Sequence, residues 1–399
     1  MIQVTALRDA DYRRLWLGAA CNQQGMSGEH VVLGLLVLQV TLSTAWVGVI
    51  MAVYFLPMFV FGMLSGAVAD WMDRRVLLRR IEVAIIIAHL GFAALLHSGV
   101  LDLWLIITVT LVLGSLRAMH QPVRISYAYD IVGGQQVVAG LGLLNLGSRS
   151  GQLIGALLAG WVMHRFGAPV AVLALTVGHV IAYLMFFQLR SAGVSAAKIH
   201  APIRQNIREF AAELGTNKIL LMLLLVTASV EIFGFSFATA LPELATTRLS
   251  LGADGLGYLH AARAFGGIVA GLAMTFTGHL QRRGLTYLGV IFGFGLSLLL
   301  LSLESSLALT VAAVGFVALI ATASDVLTQS MMQLSVANEL RGRAMGVWAL
   351  AVGFGPVGHL ELGLLSVWLG LSGALFVNGM VLVAIGIVVA LTVPRLRQL

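Results

Sequence analysis

The chain holds one cysteine, seven prolines and only 10% charged residues in a length of 399. Each shortage excludes something. A lone cysteine, Cys21, forbids an internal disulfide and any Cys-rich metal site. No two histidines stand at the HxxxH or HExxH spacing of a helical metal site, so neither a metal nor any other bound cofactor is expected. Soluble globular proteins carry about 25% charged residues. A chain with less than half that share, 59% hydrophobic and with a mean hydropathy of +0.97, has too much apolar surface for one soluble core. It reads as an integral membrane protein whose solvent is the lipid bilayer. The basic stretch before Leu15 runs into apolar residues without a small-residue cleavage site, so Leu15 onward is expected to be a retained first span rather than a signal peptide.

A span needs roughly 20 apolar residues. Twelve are expected, near 15–40, 46–69, 81–98, 103–121, 139–161, 170–189, 219–241, 254–276, 285–303, 307–328, 344–369 and 372–393. The net charge of +7 does not signal nucleic acid, because the positive residues follow membrane sidedness. With an N-terminus inside, nineteen of the 24 Lys and Arg fall in cytoplasmic segments, two (Arg165 and Arg248) fall outside, and Arg117, Arg149 and Arg263 fall within spans. That bias places both termini in the cytoplasm. The polar tract near 190–218 divides the chain into six spans and six spans. The expected organisation is therefore an N-terminal bundle over 1–190, a cytoplasmic linker over 191–218 whose IREFAAEL stretch suits a surface helix, and a C-terminal bundle over 219–399.

Between the second and third spans stands SGAVADWMDRRVLLRR, with Gly66, Asp70, Asp73, Arg74 and Arg75 in the pattern GxxxDxxDRR. This resembles the loop signature GxLxDRxGRR of the major facilitator superfamily, with Val68, Trp71 and Asp73 departing from it. TGHLQRRG at 277–284 keeps the arginines of a second copy without the acid. HQPVRISYAYDIV at 120–132, ELRGRAMGVWAL at 339–350 and GPVGHLELG at 355–363 are similar to stretches of that superfamily's drug and siderophore exporters, the branch of macrolide and enterobactin exporters. Gly151, Gly155 and Gly160 fit an antiporter-type glycine pattern in which Ala156 and Ala159 replace Pro and Gly. The resemblance covers the whole chain. It implies an all-α membrane protein of two pseudo-symmetric six-helix bundles, not an enzyme, working by alternating access in a bacterial inner membrane, as a monomer. Asp70 and its neighbours would form a cytoplasmic gate. Gly25-Met26-Ser27-Gly28 matches the GxSG of rhomboid-type proteases, but twelve spans and transporter loops surround it, which excludes that chemistry.

Histidines and the first turns of the spans aside, seven ionisable residues fall inside spans: Glu29, Arg117, Arg149, Glu231, Arg263, Asp325 and Glu361. Each costs about 2.5–3.5 kcal/mol at a helix centre, so each must pair or face a cavity. Glu29 and Glu231 sit halfway along spans one and seven, and the resemblance places spans 1, 4, 7 and 10 around the central cavity. The expected proton-coupling residues are Glu29, Glu231 and Asp325, driven by the proton gradient. The expected substrate-binding residues are Glu29, Tyr54, Arg117, Glu231, Phe235 and Arg263. The expected activity is export of a small amphipathic compound in exchange for protons. Export of an anionic metabolite such as a siderophore, favoured by the membrane arginines, and a non-transporting membrane scaffold or sensor are the alternatives.

Overall fold

A computed structural model describes residues 7–71, 73–191, 193, 215, 217–276, 283–303, 306–335 and 341–392, with side chains described outside 59–71, 133–139, 275–276, 283, 333–334 and 341–346. The linker's central part, the TGHLQRR arginines and the side chains of Gly66, Asp70, Arg341 and Arg343 lie outside what is described. Among the described residues ten long helices carry the chain: α1 (Ala10–Thr41), α2 (Thr44–Trp71), α3 (Arg74–His97), α4 (Leu103–Phe187), α5 (Lys218–Phe233), α6 (Gly252–Phe276), α7 (Arg283–Leu303), α8 (Leu307–Leu334), α9 (Arg341–Val352) and α10 (Gly355–Thr392). Among the described residues there is no strand.

Ten helices make twelve passes because two of them fold back. A straight 85-residue helix would be about 128 Å long, four bilayer cores, yet α4 is not straight. On α1, the Gln24 carbonyl meets Gly155 while its side chain meets Gly178, and the neighbouring Asn22 meets Arg117. Residues so far apart along α4 reach one short stretch of α1 only if the chain doubles back twice. The second reversal is at Gly167, where φ is +82°, a backbone conformation that a Cβ would strain. Gly370, at φ +70° and ψ 164°, reverses α10 in the same way. Six stretches are long and apolar enough to cross a membrane on composition alone: Leu103–Val132, Gly140–Phe187, Lys218–Arg248, Gly284–Leu303, Leu307–Met332 and Val347–Thr392. The double-length ones hold two passes each. Helices α1 and α3 miss that criterion because they carry polar residues that are buried against α4, among them Asn22, Gln24, Glu29, Glu82 and His89.

Two passes are broken in mid-course. After α5 the chain turns at Gly234, tightens into a 3₁₀ helix over Phe235–Ala240 and widens into a π-helical turn over Leu244–Arg248. The pass made by α9 and the first leg of α10 is interrupted at Gly353–Phe354. The two breaks face each other: a Cβ on Gly358 would meet the Ile232 backbone at 2.3 Å, and one on Gly355 would lie 3.7 Å from the Glu231 carboxylate.

The helices before the linker pack on one another through α4, and those after it pack through α6 with α8 and α7 with α10. The two sets meet along α4 with α6 and α2 with α10. Gly160 and Gly257 bring backbones together, since a Cβ on Gly160 would lie 2.9 Å from the Gly257 Cα. A Cβ on Gly48 would meet the His359 carbonyl at 2.3 Å. The Thr44 hydroxyl donates to Glu243, and His164 lies 3.5 Å from Asp254. All of these lie near the ends of the helices remote from the first residues of α1. The deepest of the named cross-contacts is Arg149 against Gly267, about 22 Å along α6 from its start.

At the opposite end, the loop motif is tied to its own set of helices. Asp73 caps α3 by accepting from the Arg75 amide at 2.9 Å, and its carboxylate also takes the Arg75 guanidinium at 2.5 Å. That hydrogen bond comes first among the causes that hold the Asp73 carboxyl below its usual range. Arg74 forks onto Asp130 at the end of the first leg of α4, at 2.5 and 2.6 Å. Asp11 clamps the start of α1 to the chain after α4, accepting from the Arg190 and Ser191 amides at 2.9 and 2.6 Å, from the Ser191 hydroxyl at 2.7 Å and from Arg14 at 2.8 Å. Burial pushes the Asp11 carboxyl up, but these donors outweigh it and hold the group at about 2.

Candidate functional site

The expected site residues separate into two clusters. The first is sealed inside the N-terminal set. Glu29, 3% exposed, accepts from the Tyr54 hydroxyl at 3.0 Å and from the Arg117 guanidinium, and lies 3.0 Å from His89 Nε2. Arg117 also donates to the Asn22 side chain at 2.9 Å and approaches His179 Nε2 at 3.1 Å. The other nitrogen of His179, Nδ1, stands 2.8 Å from a second acid, Glu82, which is fully buried. Glu82 in turn accepts from Asn22 at 2.6 Å and lies 3.3 Å from His120. With Arg117 donating to Nε2, His179 is the tautomer that carries its proton on Nδ1 and gives it to Glu82. Small residues on α1 make room for this layer: Gly25 and Gly28 lie directly under His179 and Leu175.

Glu29, His89 and His179 present three ligand atoms within 4.8 Å of one another, a spacing that suits a metal ion. Arg117 stands against both Glu29 and His179, so the protein's own cation occupies the position a metal would take.

The second cluster lies between the two sets. Glu231, near the break in the seventh pass, is within charge range of Asp325 and Arg263. Asp325 on α8 accepts from Trp348 Nε1 at 2.8 Å and feels the charge of Arg149, which reaches across from α4. Arg263 on α6 lies 5.7 Å above the Phe237 ring, and among the described residues no side chain or carbonyl accepts from its guanidinium. Three histidines mark the seam above it. His30 packs edge-on against Tyr54 at 4.7 Å and lies 6.2 Å from His260, while His359 stacks on Phe55 at 5.4 Å and meets the Thr239 hydroxyl at 2.9 Å.

Phe235 packs against Phe294 at 5.7 Å inside the C-terminal set, and the aromatic that faces Arg263 is Phe237, two residues on. Glu361 accepts from Asn378 at 3.1 Å. Two residues were missed by the sequence reading: Glu82, inside the expected third span but not among the span residues singled out, and Arg124, counted as cytoplasmic. Both are buried, because α3 starts at Arg74 and the first leg of α4 runs on through residue 132. Glu82 and His89 are seven residues apart, two turns on one face of α3, and Arg117, His120 and Arg124 repeat at helical spacing on α4. Those spacings were the available signal. A recess of about 860 Å³ between α4, α6 and α8 is lined by Leu153, Phe265, Val269, Phe316 and similar side chains and contains no charged group, so it is a groove on the lipid side.

Twelve passes in two sets, paired along α4 with α6 and α2 with α10 and charged where they meet, define a membrane transporter of the major facilitator type. The model of the family MFS_3, described as transmembrane secretion effector, matches residues 3–398, and the chain belongs to that family. Among solved structures the chain is similar to a peptide transporter POT in complex with sulfate (TM-score 0.78, 14% identity, 97% of this chain and 95% of that one). It is also similar to the nucleoside transporter NupG (0.74, 14%, 97% and 99%) and to a bacterial homologue of the human lysosomal transporter Spinster in an inward-facing, unoccupied conformation (0.72, 13%, 97% and 98%). These likenesses show the fold. No curated protein matches the sequence significantly.

Proposed function

We propose that the protein exports small amphipathic compounds across a bacterial inner membrane in exchange for protons, by alternating access between its two helical sets. The observation that carries this reading is the distribution of contacts. Among the described residues, which leave out the side chains of Asp70, Arg341 and Arg343, the sets touch toward one end and as deep as Arg149 against Gly267, while the membrane-embedded charges Glu231, Arg263, Asp325 and Arg149 lie between them with few hydrogen bonds. With cytoplasmic termini, as the arginine and lysine bias favours, the closed end is external and the arrangement is inward-facing. The proton-coupling role falls on Glu231 and Asp325. Glu29, held by three donors, acts through Arg117. Glu231 has no hydrogen-bond partner among the described residues, so protonation there breaks no existing bond.

The test is flux in proteoliposomes. A fluorescent amphipathic dye should be driven by an imposed pH gradient in the wild type. Glu231→Gln should lose gradient-driven flux at least tenfold while keeping dye exchange without a gradient. Gradient-driven flux unchanged in that variant removes Glu231 from coupling, and no flux of any kind with any dye favours a non-transporting scaffold.

Export of an anionic metabolite is the second reading, favoured by Arg124. It is 6% exposed, and its Nε and Nη1 have no partner among the described residues.

A further inference from the structure

The two membrane arginines at the heart of the molecule are treated differently. Both terminal nitrogens of Arg117 are engaged, by Glu29, Asn22 and His179, and only its Nε lacks a partner among the described residues. Arg263 has no acceptor among the described residues and rests on the face of Phe237. Two more groups near it are unpaired among the described residues: His30 Nε2 and His260 Nε2 are buried without a hydrogen-bond partner there, one on each side of the seam, with rings 6.2 Å apart. His260 and Arg263 are three residues apart on α6, hence on one face, and His30 and His260 both lie within range of the Arg263 charge. A partly buried guanidinium without a hydrogen-bond acceptor among the described residues and two buried, unpaired imidazole nitrogens face one another across the seam, and such groups are costly to leave unpaired. A ligand that supplies an anion removes that cost. Acids do not fill that role internally, because Glu231 shares its surroundings with Asp325 and makes no bond to Arg263. The walls of the same region are aromatic: Phe237 beneath Arg263, and Tyr54 and Phe55 against His30.

We propose that Arg263, His260 and His30 form the binding site for the carboxylate of an amphipathic organic acid, whose apolar body lies against Phe237 and Phe55. The inference rests on the transport reading and narrows its substrate class from amphipathic compounds in general to amphipathic anions. The geometry also sets a specificity. A planar carboxylate matches the fork of a guanidinium and accepts from imidazole N–H groups on both sides. A neutral amide of the same shape supplies one acceptor and no charge, and an amine supplies none.

Binding is read without flux, by thermal unfolding of the purified full chain in lipid nanodiscs titrated with benzoate, benzamide and benzylamine. Benzoate should raise the transition saturably, with benzamide and benzylamine at least tenfold weaker. Arg263→Gln should weaken benzoate at least tenfold and leave the unliganded transition unchanged or higher, since no hydrogen bond to a described residue is lost. No benzoate shift, equal shifts from benzoate and benzamide, or full benzoate affinity in Arg263→Gln overturns the site. Should Arg263→Gln be recovered unfolded, the same titration on His260→Phe, which keeps the ring and removes the nitrogens, should weaken benzoate at least threefold, and unchanged affinity overturns the proposal. A protein that binds benzoate through Arg263 but moves no solute would sink the transport reading and leave the site standing. Flux of amphipathic cations with no benzoate binding would do the reverse.

Discussion

Glutamine at Glu29 removes the carboxylate to which Arg117, His89 and Tyr54 all turn, and keeps the volume. Removing one partner of a buried ion pair costs about 3–5 kcal/mol, because the other charge stays buried. Arg117 retains Asn22 and His179, which places the loss at the lower end, about 3 kcal/mol, roughly a hundredfold in the folding equilibrium. Arg117→Gln strands the acid and should cost a similar amount. The double variant leaves two neutral amides that can bond each other, so its loss should fall short of the sum of the singles by about 2 kcal/mol. The assay is reversible unfolding in mixed micelles, followed by the fluorescence of the seven tryptophans, for the wild type and the three variants. A loss below about 1 kcal/mol for Glu29→Gln, or additivity of the two singles, would show that the carboxylate is not ionised against Arg117 and would refute the pairing.

Asp11→Asn should destabilise the protein by about 2 kcal/mol at neutral pH, from a carboxyl lowered from 3.8 to about 2. Because the folded value is the lower one, that stability is present above pH 3.8 and is lost as pH falls toward 2, so the gap to wild type should close over that window in melts run at pH 6 and pH 3. Gly160→Leu would drive a side chain into the Gly257 backbone across the seam and should shift the two sets apart at that end, read as a longer spin-label distance between α4 and α6; an unchanged distribution would show that the seam is not what separates. Cysteines introduced at the exposed Ser98 and Ser250 in a Cys21→Ala background should react with an impermeant thiol reagent from outside, and one at Ser195 should not; the opposite pattern would invert the topology.

Much of the architecture was legible in the chain because the bilayer enforces it. Backbone groups in lipid must bond within their own helix, so spans appear as long apolar runs. The motif between α2 and α3 and the ionisable residues in spans could likewise be picked out, since charge in lipid is rare enough to be conspicuous. What each charge meets was not legible. Glu29 and Arg117 are 88 residues apart, and only the two reversals of α4 bring Arg117 and His179 to the same side of α1. Glu82 stands at the first turn of the expected third span, just after Arg79 and Arg80, and its burial depends on α4 covering it. The breaks at Gly234 and Gly353–Phe354 have local signals in glycine and in Pro356, but that the two breaks face each other was not encoded locally. Composition and periodicity settled which residues enter the membrane, because that depends on each residue's own transfer energy. The tertiary structure alone decided that Glu29 and Arg117 neutralise each other while Arg263 finds no hydrogen-bond acceptor among the described residues, because pairing depends on distances that no local pattern encodes.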